Sequence, residues 1–64
     1  GYQLGLVWFD LGDYSRAEPL LLEAHRLYQA TFGAAHETTR AISSSLARMY
    51  DRLGQPDRAN LYRL

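Results

Sequence analysis

The sequence predicts an all-α chain of four helices, arranged as two antiparallel helix-turn-helix repeats of an α-solenoid fragment. Three observations carry this. First, Leu11–Leu22 and Leu53–Leu64 follow one plan, LGDYSRAEPLLL against LGQPDRANLYRL, with Gly12 on Gly54, Arg16 on Arg58, Ala17 on Ala59 and Leu22 on Leu64 at an offset of 42 residues. The same offset sets Leu4 on Leu46, Gly5 on Ala47, Val7 on Met49 and Trp8 on Tyr50, so small residues meet small ones and bulky meet bulky. A period of this length marks stacked supersecondary units, each burying its apolar face on a neighbour. Second, apolar residues recur at helical spacing between these marks. Third, glycines punctuate the chain at Gly12, Gly33 and Gly54, where turns are needed.

The first helix is expected over residues 2–11, YQLGLVWFDL, with Leu4, Val7, Trp8 and Leu11 as its buried stripe. Gly5 costs up to about 1 kcal/mol inside a helix relative to alanine, and its missing side chain lets another helix approach closely. Gly12 ends the helix and Asp13 caps the next by accepting a backbone N–H. So short a turn forces an antiparallel pair. The second helix is expected from Tyr14 to about Phe32, burying Ala17, Leu20, Leu21, Ala24, Leu27, Tyr28 and Phe32. Pro19 falls just past the first turn, where proline is harmless, so a mild bend or altered first turn is expected there, not a break. Glu23 and Arg26 form an i, i+3 pair on its surface.

Gly33, Ala34 and Ala35 close that helix, and His36 or Thr38 caps the third, which spans Glu37 to Leu53 and turns Ile42, Leu46, Met49, Tyr50 and Leu53 inward. Its middle, Ser43–Ser45, has modest helix propensity and leans on packing. Gly54 repeats the stop, and Pro56 and Asp57 open the last helix, where proline is compatible; Ala59 and Tyr62 face the third helix. The first unit is assigned to residues 1–35 and the second, degenerate unit to 36–64.

Composition narrows the function. A chain of 64 residues buries only about 60% of the surface its unfolded form exposes, and there is no cysteine to staple it. The expectation is a piece of a longer array, in keeping with apolar patterns already under way at Tyr2 and Leu4 and still running at Leu61 and Tyr62. Seven arginines balance seven acids without charge blocks, which argues against nucleic acid or an anionic membrane as partner. No apolar run is long enough to span a bilayer, and a cytoplasmic location is the default expectation.

The residues resemble the tetratricopeptide repeat, whose unit carries a leucine, a small residue and an aromatic in helix A, a glycine turn, and alanines early and late in helix B. Leu4, Gly5, Trp8, Gly12, Tyr14, Ala17 and Ala24 take those positions in the first unit; Leu46, Ala47, Tyr50, Gly54 and Ala59 take them in the second. The long form found in kinesin light chains and many bacterial scaffold and regulator proteins is more similar still, through G-x-Y-x-x-A-E-P-L at Gly12, Tyr14, Ala17, Glu18, Pro19 and Leu20, and through Phe32, Gly33 and His36 in the loop. Departures fall in the second unit: Glu37 and Thr38 replace the proline and aspartate after the histidine, Ser44 and Ser45 the asparagine pair, and Pro56 the aromatic after the glycine. The resemblance implies a right-handed solenoid and a non-catalytic interaction module. Its ending is also similar to the final repeat after some bacterial serine/threonine kinase domains, which implies as the alternative a regulatory or structural tail of a signalling enzyme.

No constellation for chemistry competes with this. Ser43, Ser44 and Ser45 have no strained turn and no positioned base to make nucleophiles of them with His36. His25 and His36, without carboxylates around them, make no metal site; His36 is expected as a cap and His25 as partly exposed surface. Trp8, Phe9, Tyr28 and Tyr50 are expected in the core, not as a stacking platform. No enzyme activity, cofactor or metal is expected. What the resemblance implies instead is a concave groove lined by the A helices, which receives a protein or peptide ligand while neighbouring repeats of the same chain stack at the ends. Carried onto this sequence, the groove residues are Tyr2, Leu6, Phe9 and Asp10 from the first helix and Ala41, Ser44, Arg48, Asp51 and Arg52 from the third. Leu6 and Phe9 lie off the expected buried stripe, so that aromatic contact supplies affinity and arginine receives acidic groups.

Overall fold

A computed structural model describes residues 2–63. Leu64, and with it the last pair of the repeat register, lies outside them, as does Gly1. Four helices follow one another: α1 (Tyr2–Asp10), α2 (Tyr14–Phe32), α3 (Glu37–Arg52) and α4 (Pro56–Tyr62). No strand occurs among the described residues. The helix ends fall within one residue of the sequence-based limits, and α2 continues unbroken past Pro19.

The two short turns are copies of each other. Gly12 (φ 81°) and Gly54 (φ 72°) occupy the left-handed region that a side chain would strain. In the first turn Asp13 N donates to Trp8 O at 2.9 Å and Gly12 N to Phe9 O at 3.0 Å; in the second Gln55 N donates to Tyr50 O at 2.8 Å and Gly54 N to Asp51 O at 3.2 Å. This paired 6→1 and 5→2 pattern satisfies the helix carbonyls that would otherwise be left open. Each turn reverses the chain, so α1 lies on α2 and α3 on α4, and α3 also packs on α2. Asp13 caps α2 by accepting from Arg16 N at 3.3 Å, and of the two residues expected to cap α3 it is His36 that does so, its Nδ1 accepting from Thr38 N at 3.2 Å.

The core is formed by Ala17, Leu21 and Ala24 of α2, Ile42, Leu46, Met49 and Tyr50 of α3, and Ala59 of α4. Gly5 is the buried residue of α1. A Cβ placed there would stand 3.0 Å from Leu21 Cδ2 and 3.2 Å from Leu20 Cβ, so the close approach of α1 to α2 depends on its absence.

That contact also fixes how α1 is rotated, and it overturns the expected stripe. With Gly5 against Leu21, the residues that follow the helix inward are Tyr2, Leu6, Trp8 and Phe9, all half-buried against the core. Leu4, Val7 and Leu11 are exposed. Leu6 and Phe9 therefore do not lie outside the packed side of α1; they are part of it. Leu27, Phe32 and Leu53, expected inside, are also exposed. For Phe32 the reason is length: α1 has 9 residues against 19, and its first residue, Tyr2, already meets Tyr28 edge-on at 5.6 Å. Phe32 stacks on the cap residue His36 at 4.7 Å instead.

Candidate functional site

The groove residues expected from the sequence come from two helices that touch only lightly, and the structure brings some of them together. Phe9 of α1 and Arg52 of α3 meet, with the guanidinium 5.8 Å from the ring centre. Tyr14 joins them: its ring lies 5.6 Å from Phe9, and its hydroxyl accepts from Arg52 Nη1 at 2.8 Å. Arg48, one turn earlier on the same side of α3, is exposed. Ala41 and Ser44 are exposed further back on α3 and share a shallow depression with Ala35, Glu37 and Arg40. Tyr2 sits apart, beside Tyr28 and Leu20. Asp10 is exposed, and Asp51 is engaged by Arg63, just past the end of α4. The cluster of Phe9, Tyr14 and Arg52 presents a partly open aromatic surface beside a charged donor, suited to an apolar side chain next to a carboxylate. Tyr14 entered the sequence reading only as a repeat-signature position at the start of the second helix, because its partner Arg52 lies 38 residues away.

Glu18 holds the helix pairs to one another. Its Oε2 accepts from Tyr50 O–H at 2.7 Å and lies 3.6 Å from Arg58 Nη1, so one half-buried carboxylate links α2 to both α3 and α4. Burial, and then the bond to Glu18, push the Tyr50 phenol well above its ordinary value. A hydrogen bond to a charged group is worth roughly 1.5–3 kcal/mol, whereas the exposed Glu23–Arg26 pair, at 2.7 Å, contributes about 0.3–0.5 kcal/mol. Nothing in the local sequence signalled this role, because the partner is 32 residues away.

A third feature is a cleft of about 650 Å³ between α2, α3 and α4. Leu22, His25 and Gln29 form its α2 wall, Arg40 and Ser43 its α3 wall, and Tyr62 closes it from α4. The His25 ring meets Tyr62 edge-on at 5.1 Å, and burial lowers its pKa from 6.5. Sequence reasoning left His25 as partly exposed surface and set Tyr62 against the third helix without a cleft between them; the i, i+3, i+7 spacing of Leu22, His25 and Gln29 was the available signal. Among the described residues, no group of three or more acidic, histidine or cysteine side chains is placed to hold a metal ion, and no helix is long and apolar enough to cross a membrane.

Comparison with known proteins agrees with the geometry. A family model described as tetratricopeptide repeat matches residues 2–62. No curated protein and no solved structure matches the chain.

Proposed function

The chain belongs to the tetratricopeptide repeat family, and we propose from that premise that it binds a protein or peptide through the face shared by α1 and α3, with Phe9, Tyr14, Arg48 and Arg52 at its centre. Repeats of this family are generally non-catalytic modules of protein–protein interaction. The observation that carries the finer reading is the Phe9–Tyr14–Arg52 cluster, where a guanidinium lies over the Phe9 ring and donates to the Tyr14 hydroxyl of the next helix. Fixing an arginine in advance lowers the ordering cost that a ligand must offset on binding. Arg48 extends the positive character by one helical turn, so the ligand is an extended peptide or helix with an acidic side chain beside an apolar one. Tyr2, Leu6, Asp10, Ala41, Ser44 and Asp51 line the remainder of the path. The same proposal takes 1–35 and 36–64 as two units of the long, kinesin-light-chain-like form, for which the phrase from Gly12 to Leu20 speaks.

A peptide-display selection against the folded chain tests this. Selected peptides are expected to pair an acidic with an apolar residue and to bind Arg48→Glu at least about tenfold more weakly, the loss of one charge-assisted contact, with the circular dichroism unchanged. Phe9→Ala is expected to weaken the same peptides. Ligands that bind wild type and Arg48→Glu alike would sink the groove reading.

A further inference from the structure

Charge is balanced over the chain as a whole, seven arginines against seven acids, yet the cleft between α2, α3 and α4 departs from that balance. Arg26, Arg40 and Arg63 stand on its walls and no carboxylate does. Gathering like charges around a partly enclosed space costs free energy that something must offset. For two of the three, the offset comes from outside the cleft. Arg26 donates from Nη2 to Glu23 Oε1 at 2.7 Å, and Arg63 donates to Asn60 Oδ1 at 3.4 Å and to Asp51. The Arg40 guanidinium has no hydrogen bond and no ion pair among the described residues. Its charge is open to an occupant of the cleft.

Neutral donors stand beside these charges. On α3, Ser43 follows Arg40 by three residues, and on α2, Leu22, Arg26 and Gln29 are spaced i, i+4, i+7, so the lining residues of each helix share one face. Leu22, His25, Ser43 and Tyr62 are half-buried while the three arginines are exposed, which makes a partly apolar floor under a cationic rim. A guanidinium carries five N–H donors and no acceptor, so Arg26 keeps donors after serving Glu23. What suits such a rim is an anion rich in acceptors. A carboxylate is filled by one guanidinium in a bidentate bond, whereas a phosphate monoester brings three acceptor oxygens and roughly −1.5 to −2 charges at pH 7, enough to engage arginines from facing walls. The cleft, at about 650 Å³, falls among small-molecule sites of roughly 300–1,000 Å³, with room for more than the phosphate alone.

We propose that this cleft binds a small organic phosphate monoester. Arg40 of α3 and Arg26 of α2 receive the phosphate together with the Ser43 hydroxyl, and the organic part lies on Leu22 and on the Tyr62 ring, which His25 already meets edge-on at 5.1 Å. A nucleic-acid strand is a poorer occupant, because one cleft on a charge-balanced chain offers no continuous basic track. Arg48 and Arg52 of the groove are not among the cleft walls. The cleft therefore stands or falls independently of the groove.

The test titrates the whole chain with phenyl phosphate, and separately with phenol and inorganic phosphate as its two halves, while NMR follows the backbone amide shifts. Phenyl phosphate is expected to give saturable shifts centred on His25, Gln29, Arg40 and Ser43. Inorganic phosphate is expected to move the same amides with weaker affinity, and phenol to leave them in place. Arg40→Gln is expected to weaken phenyl phosphate about tenfold or more, the loss of one charge-assisted contact, and Arg26→Gln is a second variant expected to weaken it. Both side chains are exposed, so the circular dichroism of each variant is expected to match wild type. Arg16→Gln, which removes the same charge from an exposed position outside the cleft, is expected to leave the affinity unchanged. No saturable shift, shifts centred on Arg48 and Arg52, phenol or inorganic phosphate binding as tightly as phenyl phosphate, or an equal loss in Arg16→Gln overturns the proposal.

Discussion

Thr39 shows how a single polar atom can be isolated in so small a core. It is fully buried, and its Oγ1 has no hydrogen-bond partner among the described residues. A helical threonine can bond back to a carbonyl in the preceding turn, but this one does not. An unpaired buried hydroxyl costs about 1–3 kcal/mol, and valine has nearly the same shape and a similar helix propensity. Thr39→Val is therefore expected to raise stability by about 1 kcal/mol, seen as a higher urea midpoint with an unchanged slope; a lower midpoint would mean that the hydroxyl is satisfied. Glu18 is the opposite case, a polar side chain placed in a half-buried site with both partners supplied. Neither situation was legible in the sequence. Threonine three residues after a cap and glutamate before a proline are ordinary local choices, and what distinguishes them comes from residues on other helices.

At the scale of the helix, the contact between α1 and α2 is decided at Gly5. Replacing it with alanine would gain up to about 1 kcal/mol of helix propensity, and in an exposed helix that gain would win. Here the new methyl would meet Leu21 at 3.0–3.1 Å, and Leu21 is enclosed on every side, so it has nowhere to move. Overpacking of this kind costs about 1–3 kcal/mol, and Gly5→Ala is expected to lower the thermal midpoint; a rise would mean that α1 is not held against Leu21. The counterpart position carries Ala47, and the residue that would oppose it as Leu21 opposes Gly5 is Arg63, which is exposed. That difference explains why one unit needs glycine and the other does not. The four helices, their limits and their turns were legible because glycine, the caps and the apolar period act locally. The rotation of α1 was not. Tyr2, Leu4, Leu6, Val7, Trp8, Phe9 and Leu11 surround nearly the whole helix, so periodicity alone allowed two inward faces. The small residue that chooses between them was recognised as a point of close approach without being used to orient the helix. The groove residues inherit that error, since Leu6 and Phe9 divide their surface between core and solvent.

Considered as a whole, the molecule is compact, with a radius of gyration of 10.7 Å, the value of about 10.7 Å that general scaling gives for a domain of this length. Its smallest extent is 15 Å, about what two helix layers packed roughly 8–10 Å apart span between their Cα atoms. Such a body buries one central seam, and side chains at the margins of its layers stay near the surface. His25 is the consequence. It lies half-buried in the cleft between α2, α3 and α4, against Tyr62, and Arg26, Arg40 and Arg63 line the same cleft with no acidic residue among its walls. Burial disfavours the charged ring and lowers its pKa in the folded chain below 6.5. Between the lowered value and 6.5 the unfolded chain binds the proton and the folded chain does not, so stability rises with pH there. The contribution of His25 is complete above pH 6.5 and is lost as pH falls through the folded value. Thermal melts across that window are expected to show the midpoint falling with pH in the wild type and falling less in His25→Gln, whose side chain carries no proton to exchange. Equal slopes in the two proteins would place His25 in water and leave the cleft open on the α4 side.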